Sequence, residues 1–160
     1  MSVIEELIRV EDNGNISFGN YLAEEKKKVS DFEVGGNLYK VKTYKSITKL
    51  EKNGKMLMET LPGAAIHNFY MDSKVISFLL ESYDGVQVTM ELEPEKEYKL
   101  FINDITVGNV NANVGGKAVF SVDLNESGTS VKIEKIWVVH PEKKARKYKP
   151  RFLSEYFISC

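Results

Sequence analysis

The residues with the most chemical potential sit close together: His67, Asn68, Tyr70 and Asp72 fall within six positions of an aromatic run. A histidine titrates near neutrality, so it can exchange protons or ligate a metal. A metal needs three or four ligands, and the second histidine, His140, stands far away in a basic tail. His67 therefore reads as a surface or structural histidine, and no metal or cofactor is expected. Glu91, Glu93, Glu95 and Glu97 crowd a second segment. Glycoside hydrolysis needs two carboxyls about 5–10 Å apart, but Pro94 interrupts this run, which favours solvated surface charge. Tyr21, Tyr39, Tyr44, Tyr70 and Tyr83 offer flat faces for stacking on a sugar ring or meeting a partner protein. The ligand-binding candidates are thus Tyr44, His67, Asn68 and Tyr70, with no catalytic residue assigned. Gly35-Gly36 and Gly115-Gly116 lack the Lys-Ser/Thr pair of a phosphate loop, and no Gly-x-Ser-x-Gly elbow is present.

The bulk chemistry narrows the class. The chain has 160 residues, 42% of them hydrophobic and 28% charged, enough for one packed domain. Its net charge of −1 hides an asymmetry, because residues 137–160 hold six Lys/Arg against Glu142 and Glu155. That basic extension could meet an anionic membrane surface or RNA, whereas the acidic body argues against a nucleic-acid groove across the fold. The single cysteine, Cys160, rules out an internal disulfide. No apolar run reaches the ~18 residues of a transmembrane span, and the acidic start lacks the form of a signal peptide. A cytoplasmic location is the expectation.

The elements that must position these residues are strands. Asn13-Gly14, Gly35-Gly36, Asn53-Gly54, Asp84-Gly85 and Gly115-Gly116 mark tight turns between short runs of alternating residues. Hairpins are expected over 6–22, 29–43 and 47–61, followed by strands near 65–71, 74–81, 86–93, 98–103, 105–110, 117–124 and 129–137. The charged run Glu24–Lys28 reads as a solvated strand edge. The alternation nominates Phe32, Val34, Tyr39, Val41, Phe69, Ile76, Phe78, Val88, Met90, Leu92, Tyr98, Leu100, Ile102, Phe120, Val122, Leu124, Val131 and Ile133 as core. The fold class is all-β, an antiparallel β-sandwich spanning 1–136, with 1–63 and 64–136 as possible lobes and 137–160 as an irregular extension.

Leu92-x-Pro94-x-x-x-Tyr98 is the sharpest structural motif. A leucine caps the core, a proline ends the ladder, and a tyrosine packs inward while its hydroxyl bonds the backbone of the corner. The motif resembles the corner of fibronectin type III and other immunoglobulin-like sandwiches, which implies a reduced sandwich of that kind. It departs in tryptophan placement, since the only one is Trp137.

Ile16–Tyr21, Asp31–Val34, Tyr39–Thr43, Ile47–Gly54, Pro62-Gly63 and His67–Phe69 resemble a group of small bacterial proteins often labelled endosialidase, over residues 1–133. That label implies a glycan-acting hydrolase. Sialidase-type sites gather several arginines on a sugar carboxylate, and this chain has Arg9, Arg146 and Arg151 alone. The reading from residues is a non-enzymatic recognition or assembly module for a protein or glycan, with the hydrolase as the alternative.

Overall fold

The computed structural model describes residues 3–124 and 128–136. The expected basic extension, Trp137 included, lies outside the described residues. Two antiparallel sheets pack as a sandwich. In order across the first sheet run β1 (Ile8–Val10), β2 (Ile16–Phe18), β7 (Ala65–Met71), β8 (Val75–Glu81), β13 (Thr129–Lys135), β10 (Glu97–Ile102) and β11 (Ile105–Asn111). Across the second run β12 (Lys117–Val122), β9 (Val86–Glu91), β6 (Lys55–Leu61), β5 (Ile47–Lys52), β4 (Asn37–Tyr44) and β3 (Lys27–Val34). No helix among the described residues is long and apolar enough to cross a membrane.

The turn chemistry explains the hairpins. Gly35 and Gly36, and likewise Asn53 and Gly54, all take positive φ, the backbone that joins right-twisted strands most tightly. β3 opens with Lys27 and Lys28 and forms an edge of the second sheet, as the charge run implied. The first strand is shorter than expected, because Leu7 turns to a φ of 75° and its N–H bonds the Ile4 carbonyl. Both sheets mix strands from before and after Pro62-Gly63, and one hydrophobic core runs through the whole. Thirteen strands are present among the described residues, six of them from 1–63, so that stretch contributes to both sheets of the sandwich.

Each passage of the chain between sheets buries backbone that needs partners. Where β6 leads into β7, Ala64 donates its N–H to Thr48 Oγ1 at 3.0 Å, and Thr48 Oγ1 donates to the Ala64 carbonyl at 3.0 Å. Thr43 Oγ1 lies 2.8 Å from Thr48 Oγ1 and accepts the Asn20 N–H at 2.9 Å. Both threonines are buried. The neighbouring backbone comes close enough that a Cβ on Gly19 or Gly63 would collide with the Ala64 or Tyr44 carbonyl, so glycine is required there.

The β9–β10 passage uses the tyrosine corner. Tyr98 and Leu92 are buried, Pro94 is exposed, and the Tyr98 hydroxyl accepts the Glu93 N–H at 3.1 Å. The core differs in part from the alternation. Phe32, Val34, Tyr39, Ile102 and Leu124 are only partly buried. For the first three the cause is position: β3 is an edge strand, and β4 is next to it. Fully buried Phe18, Tyr21, Leu50, Met58 and Leu80 complete the interior instead. Tyr98→Phe is expected to lower stability by about 0.5–1.5 kcal/mol, and Tyr98→Ala by about 3–5 kcal/mol. Urea denaturation of both variants checks this; equal midpoints for Tyr98→Ala and the parent chain would refute the corner's structural role.

Candidate functional site at the open end of the sandwich

The polar residues of β1, β2 and β7 form one connected network. Glu11 Oε2 accepts the Arg9 Nε–H at 3.0 Å and the Ser17 hydroxyl at 2.5 Å. Ser17 Oγ in turn accepts the Asn68 N–H at 3.0 Å, and Asn13 Nδ2 donates to Asn68 Oδ1 at 3.1 Å. These bonds hold Asn68 at a φ of 54° within a bulge of β7 between His67 and Tyr70. The bulge matters for side-chain direction. His67 pairs with Leu79 and Tyr70 with Ser77, two positions on one face of β8. Residues three apart in a regular strand would face opposite ways.

His67 Nε2 lies 3.2 Å from Glu81 Oε1, and both side chains are about nine-tenths buried. This pair fixes the imidazole orientation, as a carboxylate partner does wherever a histidine needs a defined tautomer. Ser17 does not supply a nucleophile: it is buried and its proton is committed to Glu11. The Ser17 hydroxyl above all holds the Glu11 carboxyl below its ordinary range; burial opposes it, and the Arg9 guanidinium adds to the lowering.

Tyr70 donates its hydroxyl to Asp72 Oδ2 at 2.6 Å, while Asp72 Oδ1 accepts the N–H groups of Lys74 and Val75 at 2.7 and 2.8 Å. These bonds lower the Asp72 carboxyl, the Tyr70 hydroxyl contributing most, and raise the Tyr70 phenol. Tyr70 borders a cleft of about 160 Å³ at one end of the sandwich. Tyr39, Leu57 and Lys52 line it from the second sheet, and Phe69, Tyr70 and Asn15 from the first sheet's side. Burial raises the Tyr39 phenol. The β3 edge leaves this end of the interior uncovered, which is why Tyr39 is only partly buried.

The four ligand-binding candidates are therefore not one site. Tyr70 borders the cleft, Asn68 belongs to the network behind it, and His67 is paired with Glu81. Tyr44 is elsewhere: it ends β4 beside the turn to β5, five residues from Tyr39, or roughly 17 Å along an extended strand. There the Lys26 ammonium sits 5.9 Å from its ring centroid. Nor do the five tyrosines form a platform, since Tyr21 is fully buried with its ring edge-on to Tyr83 at 5.0 Å. Tyr39, Lys52 and Leu57 became legible as a site only once β4, β5 and β6 were placed side by side.

The acidic run disperses across the corner. Glu93 meets the buried Lys135 ammonium at 2.5 Å, which lowers its carboxyl. Glu97 accepts the Asn109 side-chain N–H at 3.0 Å, and Glu91 and Glu97 belong to different sheets. A cleft of about 300 Å³ lies beside this corner, bordered by Asp72, Lys74, Glu91, Glu93 and Tyr98. Among the described residues no three His, Cys, Asp or Glu side chains converge to hold a metal.

No family model matches the chain, and neither a curated protein nor a solved structure does so.

A carboxylate whose pKa is depressed on folding stabilises the fold above its unfolded value, and that contribution disappears as pH falls through the folded value. For Glu11 the loss begins near the unfolded glutamate value of about 4.3 and continues downward. Glu11→Gln is expected to flatten the acid side of the stability profile below that pH and to leave its neutral limb parallel to the parent's. Thermal melts from pH 7 to 2.5 check this; an equally steep acid decline in the variant would show that the Ser17–Glu11 bond does not couple to folding. Glu93 and Asp72 carry shifts of the same sign, so some slope remains in either case.

Proposed function

We propose that this protein is a non-catalytic recognition module whose ligand site is the cleft at the open end of the sandwich, and that it takes a single sugar ring of a glycan. The observation that carries the reading is the pairing of ring faces with polar groups in one small recess. Tyr39 and Tyr70, with the largely buried Phe69, line it with aromatic surface, and Lys52 and Asn15 supply donors at the same walls. The exposed lining of the recess is more polar than apolar, which suits a sugar ring that carries hydroxyl donors and acceptors around its apolar face. A volume of about 160 Å³ suits one ring rather than a chain. The tyrosine corner's likeness to fibronectin type III and immunoglobulin-like modules supports a recognition role, because such sandwiches present ligands to their ends and edges. The resemblance to proteins labelled endosialidase supports a glycan as the ligand class. The hydrolase reading of that label has less support, because Arg9 is engaged by Glu11 and Glu6, and of the three carboxylates beside the larger cleft Glu93 is paired with Lys135 and Asp72 accepts the Tyr70 hydroxyl.

The test is a nuclear magnetic resonance titration with neutral hexoses, N-acetylated hexosamines and a hexuronic acid. Amide shifts confined to Gly14, Asn15, Lys52 and Tyr70 are expected at millimolar sugar, reduced at least fivefold by Tyr39→Ala or Lys52→Ala, each checked by circular dichroism. Saturating sugar without shifts at those amides would remove the cleft from consideration. Release of reducing ends from polysialic acid above a heat-inactivated control would promote the hydrolase reading over this one.

A further inference from the structure

The outer face of the second sheet carries an arrangement that works against the fold's own stability. Lys28 of β3 stands directly opposite Lys42 of β4, and Lys42 directly opposite Lys49 of β5. Val41, Thr43, Thr48 and Leu50, the alternate positions on β4 and β5, are buried, so the three lysines share the outward face. Like charges directly opposite one another on neighbouring strands are destabilising. Lysine at a sheet edge discourages further pairing, which accounts for Lys28 on β3. It does not account for Lys42 and Lys49, because β4 and β5 are interior strands paired on both sides.

Little on this face offsets the row. Among the described residues, none of the three ammonium groups forms an ion pair. Glu59 follows Lys49 on β6, one acid against three bases. The row on one side is balanced, since Lys40 faces Glu51. On the other side Tyr44 faces Ile47, and the Lys26 ammonium sits 5.9 Å from the tyrosine ring centroid, a fourth cation.

We propose that this row is a docking surface for an anionic polysaccharide, a chain bearing carboxylate or sulfate groups at regular intervals. Neighbouring strands lie about 4.8 Å apart, so the row crosses about 10 Å of sheet and sets its charges in line. An extended polymer laid across the strands meets all of them at once. The cations are lysines, point charges without the planar fork of arginine. They neutralise a repeated charge and do not read the shape of a single group. A single-stranded nucleic acid asks for more, because its bases stack on exposed ring faces. The ring that borders the row, Tyr44, already has the Lys26 ammonium over it. The surface includes none of the residues that line the cleft, so either site can fail alone.

The test is calorimetric titration of the full chain with heparin, which is sulfated, polygalacturonate, which is carboxylated, and neutral dextran, at low ionic strength. Binding of at least one anionic polymer is expected and none of dextran, and the polymer that binds identifies the charged group. Added salt should weaken binding steeply, because exposed charges are screened. The triple variant Lys28→Gln, Lys42→Gln, Lys49→Gln should weaken it about tenfold, as three exposed ion pairs imply. Lys74→Gln, Lys96→Gln, Lys99→Gln removes the same charge from exposed positions elsewhere and should leave binding nearly unchanged. Lys42→Gln alone relieves repulsion from both sides, so it should melt no lower than the parent chain and still bind more weakly. That single variant carries the test if the triple one does not fold. Failure of both anionic polymers to bind would overturn the proposal, as would binding only to a single-stranded oligonucleotide or to anionic vesicles. Equal losses in the two triple variants would overturn it too, by assigning the binding to net charge or to residues 137–160.

Discussion

A chain of four hydrogen bonds among Asn20, Thr43, Thr48 and Ala64 is the constraint on which the sandwich depends. It joins two passages between sheets, the one leaving β2 and the one entering β7, to a single hairpin of the second sheet. Each member is spoken for in one consistent direction. Thr48 gives its proton to the Ala64 carbonyl, Thr43 gives its own to Thr48, and the N–H groups of Ala64 and Asn20 come in from the backbone. A buried donor left without an acceptor costs about 1–3 kcal/mol, so removing one threonine would expose several groups to that penalty at once. Lys45 and Ser82 extend the same junction: the Lys45 N–H bonds the Ala23 carbonyl, the Lys45 carbonyl accepts the Gly63 N–H, and the Ser82 hydroxyl donates to the Gly63 carbonyl.

The geometry of the recess, and of the exposed strands β11 and β12, follows from how the chain returns after that junction. With β7 fixed against β2, the network from Arg9 to Asn68 can hold the β7 bulge and set the direction of His67 and Tyr70. β3 then has no strand on its outer side among the described residues, and the interior opens between Tyr39 and Phe69. At the other side the corner at Tyr98 sends the chain back to the first sheet. β11 and β12 are left as the outer strands, with aliphatic side chains facing water. The recess and these outer strands are thus consequences of the same strand order, at opposite edges of the sheets.

Much of the fold was legible in the sequence because turns and alternation are local. Asn53-Gly54 and Gly35-Gly36 announced hairpins, and Leu92, Pro94 and Tyr98 announced the corner, since a few neighbouring residues decide each. Sheet order was not legible: nothing local states that β13 lies between β8 and β10. The same limit explains the misjudged core. Phe32, Val34 and Tyr39 have the right alternation, but an edge position leaves them partly uncovered. Tyr21 lies outside any strand, so no period reports its burial. Thr43 and Thr48 read as ordinary polar strand positions, and only the approach of Ala64 from a distant turn makes them indispensable. Tyr44 and Tyr70, nominated for their ring faces, stand on strands of different sheets and were separated for the same reason.

The most direct measurement is native-state hydrogen exchange at the amides of Ala64 and Asn20. If the threonine junction holds the two sheets together, both amides exchange only through the opening that unfolds the whole body. Their protection then matches that of Val88 and Ile133 in the core and falls with denaturant at the same slope. Exchange of Ala64 and Asn20 at the rate of exposed turn amides such as Gly36, with the core still protected, would contradict the account.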